Sequence, residues 1–229
     1  DLSAMSAADV GISVDTAAEA LREAADVVLL KKDLNVLEQG ILEGRKAFAN
    51  MTKYIRITAS SNLGNILSIA AASALLPFLP MTAAQLLLLN VLYDTLCMTL
   101  PWDAVDPDTC QRPLTWSGEH LSRFMRFFAP LSSLFDLVTF AFLYFVLCPG
   151  LLGGYYPELS GADQLHFALL FHTGWFLESL WSQVLIVHML RTRHIPFFQS
   201  SPARAVWLVT LFGLAVLTAL VYTPLAPLL

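Results

Sequence analysis

Hydrophobic residues run in long blocks along this chain, and charged residues gather between the blocks. Positions 57–93, 137–157 and 205–229 carry no Asp, Glu, Lys or Arg, and between Gln164 and Leu190 the one charge is Glu178. A helix of about 20 predominantly apolar residues crosses a hydrocarbon core of about 30 Å. The pattern therefore predicts a mainly α, polytopic transmembrane helix bundle of about five spans. The 57–93 run is too long for one helix and breaks at Pro77-Phe78-Leu79-Pro80, which gives spans near 56–77 and 82–100. Further spans follow near 131–148, 165–190 and 205–223, the last ending at Pro224.

The amino-terminal 55 positions read differently. Val10-Gly11-Ile12-Ser13-Val14 and Val27-Val28-Leu29-Leu30 predict two short buried strands, with a helix over Thr16–Ala25 between them and Asp15 placed as its N-cap. A strand–helix–strand unit of this size cannot bury both faces of a parallel sheet by itself. Residues 1–33 therefore read as the trailing edge of a larger α/β domain. Residues 34–55 turn amphipathic and helical, a stalk that runs without a stop signal into the first span; residues 56–229 form the transmembrane domain.

Composition agrees with this division. Of the 229 residues 56% are hydrophobic and 14% charged, against about a quarter charged in ordinary soluble domains. A soluble enzyme or a disordered chain is excluded as a whole-chain reading. The net charge of -5 and the lack of a long basic cluster argue against nucleic acid as a partner. Cys97, Cys110 and Cys148 form no metal spacing. No secretory signal opens the chain.

Charge also orients the spans. Lys31, Lys32, Arg45, Lys46, Lys53 and Arg56 precede span one; Arg112, Arg123 and Arg126 lie between spans two and three; Arg191, Arg193 and Arg204 lie between spans four and five. Connections 77–81 and 149–164 have no Lys or Arg. By the positive-inside rule the amino terminus is cytoplasmic. Trp102 and Trp116 suit a membrane-interface belt, and Asp103, Asp106 and Asp108 read as a solvated loop.

Polar side chains at membrane depth are costly and mark functional sites. Asn62 and Asn65 share one face of span one, and Asn90 and Asp94 share one face of span two. The two helices are antiparallel neighbours, so one carboxylate and three carboxamides can meet near mid-membrane, an oxygen-rich set suited to a hard cation. Interhelical hydrogen bonding is the structural counterpart of that reading. Glu178, with Ser182 and Gln183 a turn further, either adds to the ion path or pairs structurally with another helix. Asp136, three residues after Ser133, reads as part of a cap at the start of span three, and the histidines His166, His172 and His188 as span-end residues.

Several of these segments resemble the P-type ATPases. Asp1 and Ala8-Asp9-Val10-Gly11-Ile12-Ser13-Val14-Asp15 are similar to the end of that family's phosphorylation domain, where a GDGxND motif precedes an ADVGI strand. Lys53–Asn65, Leu75–Met81 and Gln85–Asp94 resemble its fifth and sixth membrane helices. Leu100-Pro101-Trp102-Asp103, Pro130–Asp136 and Val187–Thr192 resemble the bacterial magnesium-importing members. The resemblance implies a haloacid-dehalogenase-like phosphorylation domain and an aspartate phosphorylated by ATP. It implies Asp1 as a support of the catalytic Mg²⁺, and Asn62, Asn65, Asn90 and Asp94 as metal ligands of the transported cation; Glu178 joins that metal set from its own position in an apolar run, not from the resemblance. The chain has no DKTGT motif, nucleotide domain or actuator domain. The expectation is therefore the carboxyl-terminal part of a magnesium-transporting pump of the bacterial inner membrane. Its partners are the bilayer, the cation and the missing amino-terminal part, which binds ATP; alone, the chain does not hydrolyse ATP. The competing readings are the same family with Ca²⁺ or H⁺ as cargo, and a non-enzymatic membrane scaffold derived from a truncated pump.

Overall fold

The computed structural model describes residues 2–223, so Asp1 and the segment after Thr223, with Pro224, lie outside the described residues. The chain divides into two compact units, Asp1–Phe48 and Ala49–Leu229.

The first unit holds helix α1 (Leu2–Ala7), strand β1 (Ile12–Val14), helix α2 (Glu19–Glu23) and strand β2 (Val27–Leu29). The strands pair in parallel, with Ile12 opposite Val27 and Val14 opposite Leu29. The connection closes tightly because the Gly11 N–H donates to Asp26 Oδ2 at 2.7 Å. A Cβ on Gly11 would stand 2.7 Å from Met5 Cγ, so this position has room only for glycine unless the methionine shifts. Two details differ from the sequence reading. Ala18, not Asp15, is the N-cap of α2, and Asp15 instead forms an exposed ion pair with Arg22 at 3.4 Å. The strands are also less buried than expected: Gly11 and Ser13 are covered, but Val10, Ile12, Val27 and Val28 are exposed. Two strands bring too few side chains to cover each other.

Helix α3 (Leu34–Leu75) is one uninterrupted helix of 42 residues, long enough at 1.5 Å per residue to reach about 63 Å. It covers both the stretch read as a stalk and the stretch read as span one. After it the chain turns at Pro77–Pro80 and enters α4 (Ala83–Cys97) through a capping box: Thr82 Oγ1 accepts from the Gln85 N–H, and Gln85 Oε1 accepts from the Thr82 N–H. Phe78, at the tip of the turn, packs against Tyr156, Phe167 and Phe171.

Next come the short α5 (Pro107–Cys110), α6 (Gly118–Phe142), α7 (Cys148–Leu152), α8 (Gly161–Leu190) and α9 (Arg204–Leu220). α6 passes through Pro130 without ending and continues through a widened π turn, Leu143–Leu147, into α7. That turn lies just before Pro149, which lacks an N–H and crowds the carbonyl four residues back. α8 is apolar on all sides and packs against α4, α6 and α9. Its Phe167, Phe171, Phe176 and Leu180 form the centre of the core.

Two stretches, Ala83–Trp102 and Gly118–Leu152, are long and apolar enough to cross a membrane, and Arg204–Leu220 is apolar but shorter. Only 33% and 28% of their apolar windows are buried, which separates them from the mostly covered core helices of soluble proteins. Exposed Leu134, Phe135, Val138, Phe142, Phe145 and Val146 on the second stretch make a face suited to lipid.

Candidate functional site

Three helices, α3, α6 and α8, enclose a cavity of about 300 Å³. α3 reaches it with Ser60, Ser61 and Asn65, α6 with Ser132 and Asp136, and α8 with Glu178, Ser182 and Gln183; Leu185, Ile186 and Met189 complete an otherwise apolar wall. α3 and α6 come close at Gly64, where an added Cβ would stand in ordinary contact, 3.4 Å from the Ala129 carbonyl and from Ser132. Ser133 Oγ sits in the same contact, 2.9 Å from the Gly64 carbonyl and 3.1 Å from that of Ala129.

Asp136 is the most enclosed acid of the cavity. Ser68 Oγ donates to its Oδ2 at 2.5 Å and Trp175 Nε1 donates to its Oδ1 at 3.0 Å. The residue is well inside α6, not at a helix start, which corrects the capping role assigned from sequence; the helix begins at Gly118 after the Ser117 N-cap and runs on through Pro130. Glu178 lies against Asp136 and Ser182, and its Oε2 is buried with no hydrogen-bond partner among the described residues.

The five predicted cation ligands separate. Asn65 and Glu178 share the cavity, and Gln183 Nε2 donates to Asn65 Oδ1 at 3.5 Å. Asn62, Asn90 and Asp94 are exposed, and no hydrogen bond joins them among the described residues. α4 instead turns Gln85, Leu89, Tyr93 and Leu96 inward, and Tyr93 neighbours Ser61 of α3.

A second polar centre, missed from sequence, lies beyond the end of α4. Asp103 is 5% exposed and Arg191 1%. Arg191 Nε donates to Asp103 Oδ2 at 2.9 Å and Nη2 to Oδ1 at 3.2 Å, while Nη1 and Nη2 reach the carbonyls of Ser200 and Ser201 at 2.9 Å. Asp103 also accepts from Lys53 Nζ and from the Ala203 N–H. Asn50 Nδ2 donates to the carbonyls of Pro101 and Asp103. Burial holds the Lys53 ammonium below the usual lysine range despite the nearby Asp103. Burial alone would raise the Asp106 carboxyl, yet donors from Ser200 and Thr192, each at 2.6 Å, and the charge of Lys53 hold it below the usual carboxylate range. The solvated-loop reading thus fails for Asp103 and Asp106; Asp108 alone is exposed, against His194 at 3.2 Å. His188 lies in the last turn of α8, the span end expected for it, and is buried there, with Nε2 2.8 Å from Thr210 Oγ1 and its ring beside Phe197 and Trp207. Cys97, within an apolar run, is a buried free cysteine.

A family model described as "Cation transporting ATPase, C-terminus" matches residues 78–229. The chain belongs to this family. It is 47% identical over 226 residues to the magnesium-transporting ATPase, P-type 1, of Escherichia coli K12, covering 99% of this chain and 24% of the relative. A Salmonella typhimurium LT2 protein of the same description is 44% identical over 228 residues, which is all of this chain and 23% of that protein. The calcium-transporting ATPase of Bacillus subtilis is 33% identical over 114 residues, 49% of this chain and 13% of its own length. The chain thus spans about a quarter of the length of its magnesium-transporting relatives and corresponds to their carboxyl-terminal portion.

Proposed function

We propose that this chain is the membrane part of an ATP-driven pump that carries Mg²⁺ across the bacterial inner membrane. The observation that carries this reading is the extent of the likeness: it holds along 99% of the chain for a magnesium-transporting relative, but along 49% for a calcium-transporting one. In this reading five spans cross the bilayer with the amino terminus in the cytoplasm. ATP and the phosphorylated aspartate belong to parts of the pump outside this sequence, as does most of the domain that Asp1 would serve with its catalytic Mg²⁺. The chain alone hydrolyses no ATP.

In this reading the cargo meets Asn62, Asn65, Asn90, Asp94 and Glu178, of which Asn65 and Glu178 share the cavity. Asp94 sits between the exposed Val91 and Met98. An ionised carboxylate turned to hydrocarbon there costs at least about 2.5 kcal/mol, so in the pump its face looks onto protein or onto the ion. One carboxylate among carboxamides suits a partly hydrated Mg²⁺ better than Ca²⁺, which takes 6–8 oxygens and commonly several carboxylates. ATP hydrolysis by the complete protein, measured with Mg²⁺ fixed for catalysis and the transported ion varied from the far side, tests this. Stimulation by Mg²⁺ and not by Ca²⁺ is expected; stimulation by Ca²⁺ alone overturns the choice of ion.

A further inference from the structure

Two buried oxygens of the α3/α6/α8 cavity have no hydrogen-bond partner among the described residues, Ser60 Oγ and Glu178 Oε2. Ser60 is 4% exposed. A hydroxyl within a helix commonly bonds the carbonyl four residues back, as Thr58, Thr95, Ser133 and Thr173 do here. Ser60 does not, although it lines the cavity wall. Buried polar atoms left in this way call for water or an ion. Asp136, 8% exposed, supplies a second carboxylate beside Glu178. Ser68 Oγ and Trp175 Nε1 each donate to one of its oxygens. They orient the carboxylate as outer groups orient a metal ligand, and one donor apiece leaves lone pairs on both oxygens for a further bond. Among the described residues no Lys or Arg lines the cavity, and buried acids are either paired or coordinate metals.

The size of the space fits an ion that keeps part of its water. About 300 Å³ holds a cation with several waters, each taking about 30 Å³. Mg²⁺ sheds water reluctantly and is commonly held through one or two carboxylates, with water completing its shell. We propose that the α3/α6/α8 cavity is a cation site in its own right, in which Asp136 and Glu178 bind a partly hydrated divalent cation and Ser60 and Asn65 accept hydrogen bonds from its water. Three helices supply the site, and the carboxylates come from α6 and α8. As a stop for the cargo it rests on the transport reading and deepens it. Asp136 and Ser60 join Asn65 and Glu178 around one ion, while Asn62, Asn90 and Asp94 lie exposed outside the cavity.

Mn²⁺ added alone to the complete pump in lipid nanodiscs, without ATP or phosphate, tests the site, because Mn²⁺ stands in for Mg²⁺ and electron paramagnetic resonance counts its bound and free forms. Wild type is expected to bind a Mn²⁺ that Mg²⁺ displaces, and Asp136→Asn to bind it about 10–100-fold more weakly. Ser60→Ala removes no hydrogen bond found among the described residues, so a purely structural serine predicts unchanged binding. The cation site predicts a loss of about tenfold, and this variant decides the matter even where Asp136→Asn fails to fold. Mn²⁺ affinity unchanged in folded Ser60→Ala, or in folded Asp136→Asn, overturns the site. Mg²⁺ transport by the same wild-type preparation separates the two failures. A pump that carries Mg²⁺ while these variants bind Mn²⁺ as wild type does refutes the cavity site alone; a wild-type protein that carries no Mg²⁺ refutes the transport reading.

Discussion

Two acid-bearing centres in the second unit are built on opposite plans. Around Asp103 four donor side chains or backbone groups converge on one carboxylate and its neighbouring carbonyl, and Arg191 spends its N–H groups on Asp103, Ser200 and Ser201. Around Glu178 the lining is apolar apart from hydroxyls, carboxamides and the Asp136 carboxyl, and one of its oxygens has no partner among the described residues. The first centre fastens elements together: the end of α8, the segment after α4, the loop before α9, and α3 through Asn50 and Lys53. Even the left-handed Phe197, at φ 68°, belongs to it, because its N–H bonds the Ser200 carbonyl of the same turn. The second centre leaves hydrogen-bonding capacity over among the described residues. A saturated network fixes geometry, whereas an unsaturated one can exchange a ligand.

The largest effect should come from removing one half of the saturated centre. Arg191→Met leaves Asp103 buried and underpaired, and breaking a buried pair in this way costs about 3–5 kcal/mol. Thermal unfolding in detergent should show it as a large loss of stability. Replacing both partners, Asp103→Leu with Arg191→Met, should lose clearly less than the single change. A loss under about 1 kcal/mol for Arg191→Met, the range of exposed pairs, would mean the two centres do not differ in this way.

A smaller effect should follow from pH. The Asp106 carboxyl is held below its unfolded value of about 3.9. Its contribution to stability is therefore complete above about pH 4 and lost as pH falls through the folded value. Acid unfolding of wild type should show this loss, and Asp106→Asn should be less stable at neutral pH but flatter in acid. An unchanged acid limb in Asp106→Asn would remove Asp106 from the fastened centre.

How far the sequence revealed these centres depends on the distance over which each is assembled. Local signals were legible: the Pro77–Pro80 break, the Thr82 start of α4, the helix from Leu34 into the apolar run, and two strands near Gly11 and Val27. Asp136 falls near a start when span three is drawn from the apolar run near 131, whereas α6 already begins at Gly118 and passes through Pro130. Asp103 was taken for a solvated residue because its partner, Arg191, lies 88 positions away and no spacing rule connects them. Asn65 and Glu178 were singled out for being polar within apolar runs, and they do share a cavity. The same signal marked Asn62, Asn90 and Asp94, which the described residues leave exposed.

The smallest effect on stability should belong to Asp94, and it is also the residue on which the transport reading depends most. Asp94→Asn keeps the size of the side chain on an exposed face, so its stability should stay within about 0.5 kcal/mol of wild type. The charge that competes with the ion's hydration shell is gone, however. Ion-stimulated dephosphorylation of the complete pump is the most direct measurement. Asp94→Asn should fold, insert and accept phosphate from ATP, yet lose the stimulation by the transported cation. If the variant responds to the cation with unchanged affinity, the cargo does not meet Asp94, and the proposed site is wrong.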